Sequence, residues 1–283
     1  DKRVAANITG INLLIGGHSN ELLDPPLQIN GTIVAQAGEH GKHLARLDLT
    51  IDPVTGKVTR FESTLLPIEE TIPLDPATQA VVESERARVQ QIMNRVVGTL
   101  AEPFNLSDDC ECAAGNLLAD ALLERVNNAQ ISMVLAGHWE TGLNEGALTQ
   151  GELFIAIRST ANPAWIKLTG GQIKQFLREA TKPENAGRKI HALRGRAVGM
   201  PHFAGVKIHL ESLEIEYRGK PIEDNETFLV VSTDMEFSDY IGYLVIPFET
   251  MEFEVPTIMP EVLEEYIRKH TPLSPPHPRF SGI

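Results

Sequence analysis

Glu111-Cys112-Ala113-Ala114-Gly115-Asn116-Leu117-Leu118-Ala119-Asp120-Ala121-Leu122-Leu123 is the stretch from which the fold of this chain is read. Leu117, Leu118, Ala121 and Leu122 recur at the spacing of one helical face. Ala113 and Ala114 lead into it as good helix formers, and Asp108 and Asp109 stand ahead of it as N-terminal caps. Gly115 and Asn116 lie inside the pattern, where propensity disfavours both. A helix keeps such a pair when another backbone or ring approaches closely, or when the amide makes a specific hydrogen bond. A plain crossing point in a buried helix satisfies the first condition as well as a binding site does.

Around this helix the composition is that of a globular chain. Its 283 residues, 42% of them hydrophobic, suit one large domain or two small ones with a true core. The formal charge of −13 disfavours nonspecific binding to nucleic acid or anionic membrane. Lys and Arg form no runs, and no apolar stretch approaches the roughly 20 residues that span a bilayer. Asp1-Lys2-Arg3-Val4 is neither a signal peptide nor an expected natural start. Cys110 and Cys112 are the only cysteines. At that spacing they do not bridge comfortably, and no further Cys or His stands near enough in sequence to complete a metal site. A disulfide-free chain fits the cytoplasm slightly better than an oxidising compartment.

Upstream, Asn12-Leu13-Leu14-Ile15-Gly16-Gly17-His18-Ser19-Asn20 reads as a buried strand emptying into a loop. A His at the end of such a strand is either a turn-capping loop residue or one of the metal and catalytic residues that collect there. Ala45 to Leu49 alternates as a half-buried strand does, Gly38 and Gly41 flank the preceding turn, and His40 and His43 read as surface turn residues rather than ligands. Asp52-Pro53-Val54-Thr55-Gly56-Lys57 is turn chemistry. Asp75-Pro76 opens a helix whose apolar stripe is Val81, Val82, Val89, Ile92, Met93 and Val96. Downstream, Ile131 to Leu135 and Phe228 to Val231 are strands, Thr169-Gly170-Gly171 starts an amphipathic helix, and Pro272 to Pro278 is an extended tail.

The quoted helix resembles the one that opens the C-terminal domain of the 5'-nucleotidase family, with its Gly-Asn, apolar, Ala-Asp pattern. Gly16-Gly17-His18-Ser19-Asn20 resembles the last metal motif of the metallophosphoesterases. The resemblance implies an α+β chain of three parts: residues 1–70 the end of a layered metallophosphoesterase domain, 71–97 a linker helix, and 98–283 the substrate-binding domain. It also implies two divalent ions, zinc or manganese, with His18 at a ligand position and Asn20 where many members carry a second His. No Asp-x-His or Gly-Asn-His occurs in this sequence. Two ions about 3.5–4 Å apart are not held by one His and one Asn. The chain therefore resembles the C-terminal portion of a larger hydrolase, expected to be inactive without an upstream catalytic segment as partner.

The nucleoside-contact positions depart from the family. Leu135 stands for the Asn of its Asn-x-Gly-Gly-Ile-Arg motif and Glu140 for the Arg, a charge reversal beside a phosphate. Ser159 and Met235 stand for the two base-stacking Phe residues, and Ile241 for the ligand Asp. This fits a looser, YunD-like branch of bacterial metallophosphoesterases. His138, Trp139, Met235, Phe237 and Tyr240, with Phe203 near them, are the candidates for a different substrate pocket, for a nucleotide or another small phosphoester. The Trp and Phe residues fit a core equally well. The alternative function is an inert binding module derived from the same fold.

Overall fold

The computed structural model describes residues 1–190, 193 and 196–282. They fall into two units, Asp1–Glu83 and Ser84–Ile283. The first holds α1 (Lys2–Asn7), β1 (Leu13–Ile15), β2 (Leu27–Ile29), β3 (Thr32–Ala35), β4 (His43–Ile51) and β5 (Val58–Pro67). β3 lies between parallel β1 and antiparallel β2, and all four of its residues are buried. β1 is an edge strand, and Ile15 at its end is 75% exposed. β4 and β5 make an antiparallel ribbon. Its turn is held by Asp52, whose carboxylate accepts from the Val54 N–H at 2.8 Å.

α2 (Pro76–Met93) crosses the division between the units. Asp75 caps it as expected, accepting from the Thr78 N–H at 2.8 Å. Its stripe is not buried. Val81, Val82, Val89 and Ile92 are exposed, Met93 is half-buried, and Val96 already belongs to the next strand. Periodic spacing makes an apolar face, but only a facing surface buries it.

The second unit runs β6 (Val96–Leu100), α3 (Ala113–Arg125), β7 (Ile131–Leu135), β8 (Gly146–Thr149), α4 (Gln150–Ala156), β9 (Pro163–Thr169), α5 (Gly170–Ala180) and α6 (Pro183–Ala186). It continues with β10 (Pro201–Ala204), β11 (Val206–His209), β12 (Glu214–Tyr217), β13 (Lys220–Pro221), β14 (Thr227–Thr233), β15 (Glu252–Phe253), α7 (Met259–His270) and β16 (Phe280–Ser281). The architecture is α+β. A mixed five-stranded sheet has the order β10-β7-β14-β9-β15, and a second sheet has the order β13-β12-β11-β16. β7 is apolar nearly throughout because both its faces are covered. Ile131, Met133 and Leu135 pack with Phe176 and Leu177 of α5 and with Ile208 and Ile215 of the second sheet. Val134 points the other way, into a core with Leu117 and Leu118 of α3 and Leu263 of α7. Capping boxes start α4 and α5: Thr149 with Glu152, and Thr169 with Gln172.

α3 supports the rest of this unit. Its N-terminus is satisfied differently from expectation. The Ala113 N–H donates to the Asn105 side chain at 3.0 Å, while Asp108 pairs with Arg196 at 2.9 Å. Gly115 has a clear reason: a Cβ there would stand 2.4 Å from three atoms of the His202 ring. That ring cannot retreat. The Cys112 N–H donates to its Nε2 at 3.0 Å, and its Nδ1 faces the Met200 carbonyl at 3.2 Å. Asn116 donates to Glu111 at 2.7 Å, and Glu111 in turn accepts from the backbone N–H groups of Arg279, at 2.6 Å, and Phe280, at 3.1 Å. Arg279 closes the clamp on the Asp120 carboxylate at 2.6 and 2.8 Å. The extended tail therefore returns to the fold, and β16 pairs in parallel with β11.

Gly115→Ala pits a helix-propensity gain of about 1 kcal/mol against an overpacking cost of about 1–3 kcal/mol. With the ring pinned, the cost wins, and urea unfolding is expected to show net destabilisation. In a His202→Ala background the same change has room and should be neutral or stabilising; an unchanged sign would refute the contact.

His202 is fully buried, and burial pushes its pKa down to about 4, with the Arg279 charge adding to the drop and the Met200 hydrogen bond opposing it. The folded ring is neutral, whereas the unfolded ring takes its proton near pH 6.5. The unfolded state thus binds more protons between about pH 6.5 and 4, and stability falls by roughly 3 kcal/mol as pH drops through that window. Unfolding free energies measured across this range should lose that slope in His202→Gln.

Candidate functional site

The chain from β7 to Glu140 turns sharply at Gly137. A Cβ there would lie 2.5 Å from the Ala197 carbonyl oxygen, so only glycine lets the chain pass. The next residue, His138, is consequently delivered into the interior. Its Nε2 lies 2.8 Å from Glu236 Oε1 and its Nδ1 lies 2.6 Å from Ser159 Oγ. Glu236 is fully buried and held from three sides. Besides His138, it accepts from the Leu135 N–H at 3.0 Å and from the Thr233 hydroxyl. Burial opposes its ionisation, yet the His138 interaction and these hydrogen bonds outweigh that and hold the carboxyl below the usual carboxylate range. Ser159 is fixed by the bridge between Trp139 and Ile157 just upstream, with the Glu140 N–H bonded to the Ala156 carbonyl at 2.7 Å.

Two cavities adjoin this cluster. The smaller, about 30 Å³, is lined by Gly137, His138, Glu140, Arg158 and Ser159 among others. The larger, about 510 Å³, is lined by Asp234, Asp239, Tyr240, Val245, Phe248 and Met251 among others. Thr160 and Met235 line both. The larger volume lies in the range of small-molecule sites, about 300–1,000 Å³. Asp234 accepts from the Asn162 N–H at 3.0 Å. Burial pushes its pKa up, with the nearby Glu236 charge acting in the same direction.

Of the sequence candidates, the structure brings His138, Met235 and Tyr240 to these cavities. Trp139 and Phe237 are fully buried and belong to the cores on opposite faces of the sheet; Phe203 is buried with Phe237. Their place is explained by register. Trp139 follows the turn that sends His138 inward, and Phe237 follows the anchored Glu236. Nothing in the sequence singles out Phe248. It is 60% exposed and stands on a short turn after Pro247, where no periodic pattern marks it.

In the first unit, His18 and Asn20 are both exposed, and Asn20 has a φ of 56°. Among the described residues no group of three or more His, Cys, Asp or Glu side chains is arranged to hold a metal ion. One imidazole and one amide fall short of a two-ion centre. The residues present do not fit that group.

The family described as "5'-nucleotidase, C-terminal domain" matches residues 96–246. The chain belongs to this 5'-nucleotidase C-terminal domain family. Its helix α3, the His138 turn and the loop carrying Glu236 all lie within the matched residues. The chain is 23% identical over 273 residues to the uncharacterized metallophosphoesterase YunD of Bacillus subtilis, covering 93% of this chain and 59% of that protein. It is 30% identical over 201 residues to the trifunctional nucleotide phosphoesterase protein YfkN of the same organism, covering 66% of this chain and 14% of that protein. A 5'-nucleotidase precursor from Thermus thermophilus shares the fold with a TM-score of 0.55 at 19% identity, over 99% of this chain and 61% of that one. The chain thus spans less than two thirds of each of these relatives.

Titration of this chain with Zn²⁺ or Mn²⁺ should reveal only weak binding, because two donors leave most of a coordination shell to water. A tight stoichiometric site abolished by His18→Ala would mean that other side chains complete it.

Proposed function

We infer that this chain is the substrate-binding domain, with the closing segment of the metallophosphoesterase domain, of a metal-dependent phosphoester hydrolase. Residues 1–70, 71–97 and 98–283 are assigned to the metallophosphoesterase end, the linker and the substrate domain. His18 and Asn20 would contribute to a two-ion centre only together with ligands from an upstream segment of a longer protein. The chain by itself is assigned no hydrolysis of phosphoesters.

The observation that carries the reading is the 510 Å³ cavity, which lies on the loops of the matched domain and is walled by Met235, Tyr240, Val245 and Phe248. Among the described residues its lining includes Asp234 and Asp239 and neither Lys nor Arg. A dianionic phosphate is repelled there, so the cavity suits the leaving group of the ester, with the phosphate outside. Ser159 and Met235 offer no aromatic face. Tyr240, 68% exposed, and Phe248 supply two from other directions. The leaving group is therefore an aromatic or otherwise apolar one, and a nucleoside is one case among several.

Calorimetric titration of the chain with AMP and with phenyl phosphate tests this. Both should bind weakly and at comparable strength. Each of Tyr240→Ala and Phe248→Ala should weaken binding by about 1–3 kcal/mol, the value of one stacking face. If AMP binds far more tightly and neither substitution matters, the cavity is not the site.

A further inference from the structure

We propose that Ser159, His138 and Glu236 form a nucleophilic triad that cleaves uncharged carboxylic esters without a metal ion. This goes beyond the phosphoester reading and does not depend on it. Three observations meet in this cluster. The nucleophile and its base are in hydrogen-bond contact, Ser159 Oγ to His138 Nδ1 at 2.6 Å. The base is oriented by a carboxylate on its other nitrogen, His138 Nε2 to Glu236 Oε1 at 2.8 Å. The carboxylate is itself locked by the Leu135 N–H and the Thr233 hydroxyl. Nucleophile, base and orienting carboxylate stand in the order by which such triads are recognised on unrelated folds, with the two ring nitrogens exchanged between their partners.

The proton positions follow from the partners. Glu236 accepts at Nε2, so whenever the ring carries a single hydrogen it sits on Nε2 and Nδ1 is left as an acceptor. Ser159 Oγ already accepts from the Ala161 N–H at 3.3 Å. Its own hydrogen is thereby free to point at Nδ1. The hydroxyl is thus poised to lose that hydrogen to the ring, as general-base activation requires.

Ser159 is half-buried and lines the 30 Å³ cavity, which is large enough for a water on the minimum of about 10–15 Å³. Through Thr160 and Met235 that cavity borders the larger one, whose apolar wall would take the acyl or alcohol group. In acylation, Ser159 Oγ forms a bond to the ester carbonyl carbon and its proton passes to His138 Nδ1. The tetrahedral oxyanion then collapses, the ester C–O bond breaks, and the alcohol leaves with that proton. A water, deprotonated by the same nitrogen, attacks the acyl-serine and releases the carboxylic acid. Arg158 lines the small cavity and is the cation available to the oxyanion. Asp234 and Asp239 disfavour anionic esters, in keeping with an uncharged substrate.

The test uses the 283-residue chain in EDTA, so that metal-dependent phosphoester chemistry contributes nothing. A fluorophosphonate probe, losing fluoride to Ser159 Oγ, should label the protein once, and peptide mapping of the wild type should place the adduct on Ser159. p-Nitrophenyl butyrate should give a burst of p-nitrophenol. Ser159→Ala and His138→Gln should lower kcat roughly 1,000-fold or more. Glu236→Gln should lower kcat, expressed per active site titrated by the p-nitrophenol burst, roughly 100-fold or more, a loss that a smaller folded fraction would not produce. Mapping on the wild type needs no variant to fold. An adduct on another residue, no labelling at all, or Ser159→Ala turning over at the wild-type rate would overturn the proposal.

Discussion

The contact between Gly115 and the His202 ring sets the position of nearly everything else in the second unit. Because the helix lacks a side chain there, α3 settles onto β10 at ring-contact distance, and the ring is held by hydrogen bonds at both nitrogens. A helix seated so closely presents Leu117, Leu118 and Leu122 to one face of the sheet and Asp120 to the returning tail. The neutral state of His202 is a consequence of the same packing. A charged ring buried in this place would need a counter-ion, and the charge that bears on it, that of Arg279, has the same sign. Close approach, burial and a fixed tautomer are therefore one constraint seen three ways.

Much of this is legible in the sequence, and the reasons are local. Thr149-x-x-Glu152 and Thr169-x-x-Gln172 are capping signatures whose whole geometry lies within one turn, so pattern and structure agree. The apolar run of β7 announces a strand, and the structure covers it on both faces. Gly115 and Asn116 announce a close approach and a specific amide bond, and the structure supplies both. What is not legible depends on distant partners. Spacing gives α2 an apolar stripe that stays exposed. Asp108 reads as a cap because nothing local reveals Arg196. The tail reads as extended, and only the clamp of Glu111 and Asp120 shows why it ends as a strand.

The site divides along the same line. His138 and Met235 stand out because each lies in or beside a recognisable motif whose expected residue types it departs from. Trp139 and Phe237 stand out only as large aromatics, and aromatics beside a turn are as often core as ligand contact. Both follow an anchored neighbour in a turn just past a strand end, and each is buried in one of the two cores. Phe248 has no such neighbour and no motif, so only the cavity reveals it.

The buried pair also constrains the residues that these two turns can carry. Glu236 and His138 are both nearly without solvent exposure, and removing one partner from such a pair leaves an uncompensated group costing roughly 3–5 kcal/mol. The two residues are thus coupled: either is tolerated only with the other. Among the described residues, Glu236 lines neither cavity, and Arg158 is the cation that lines the small one beside His138. Glu140 at the rim adds a further negative charge to the small cavity, offset there by Arg158. The two carboxylates in the described lining of the larger cavity act in the same direction, against an anionic group there.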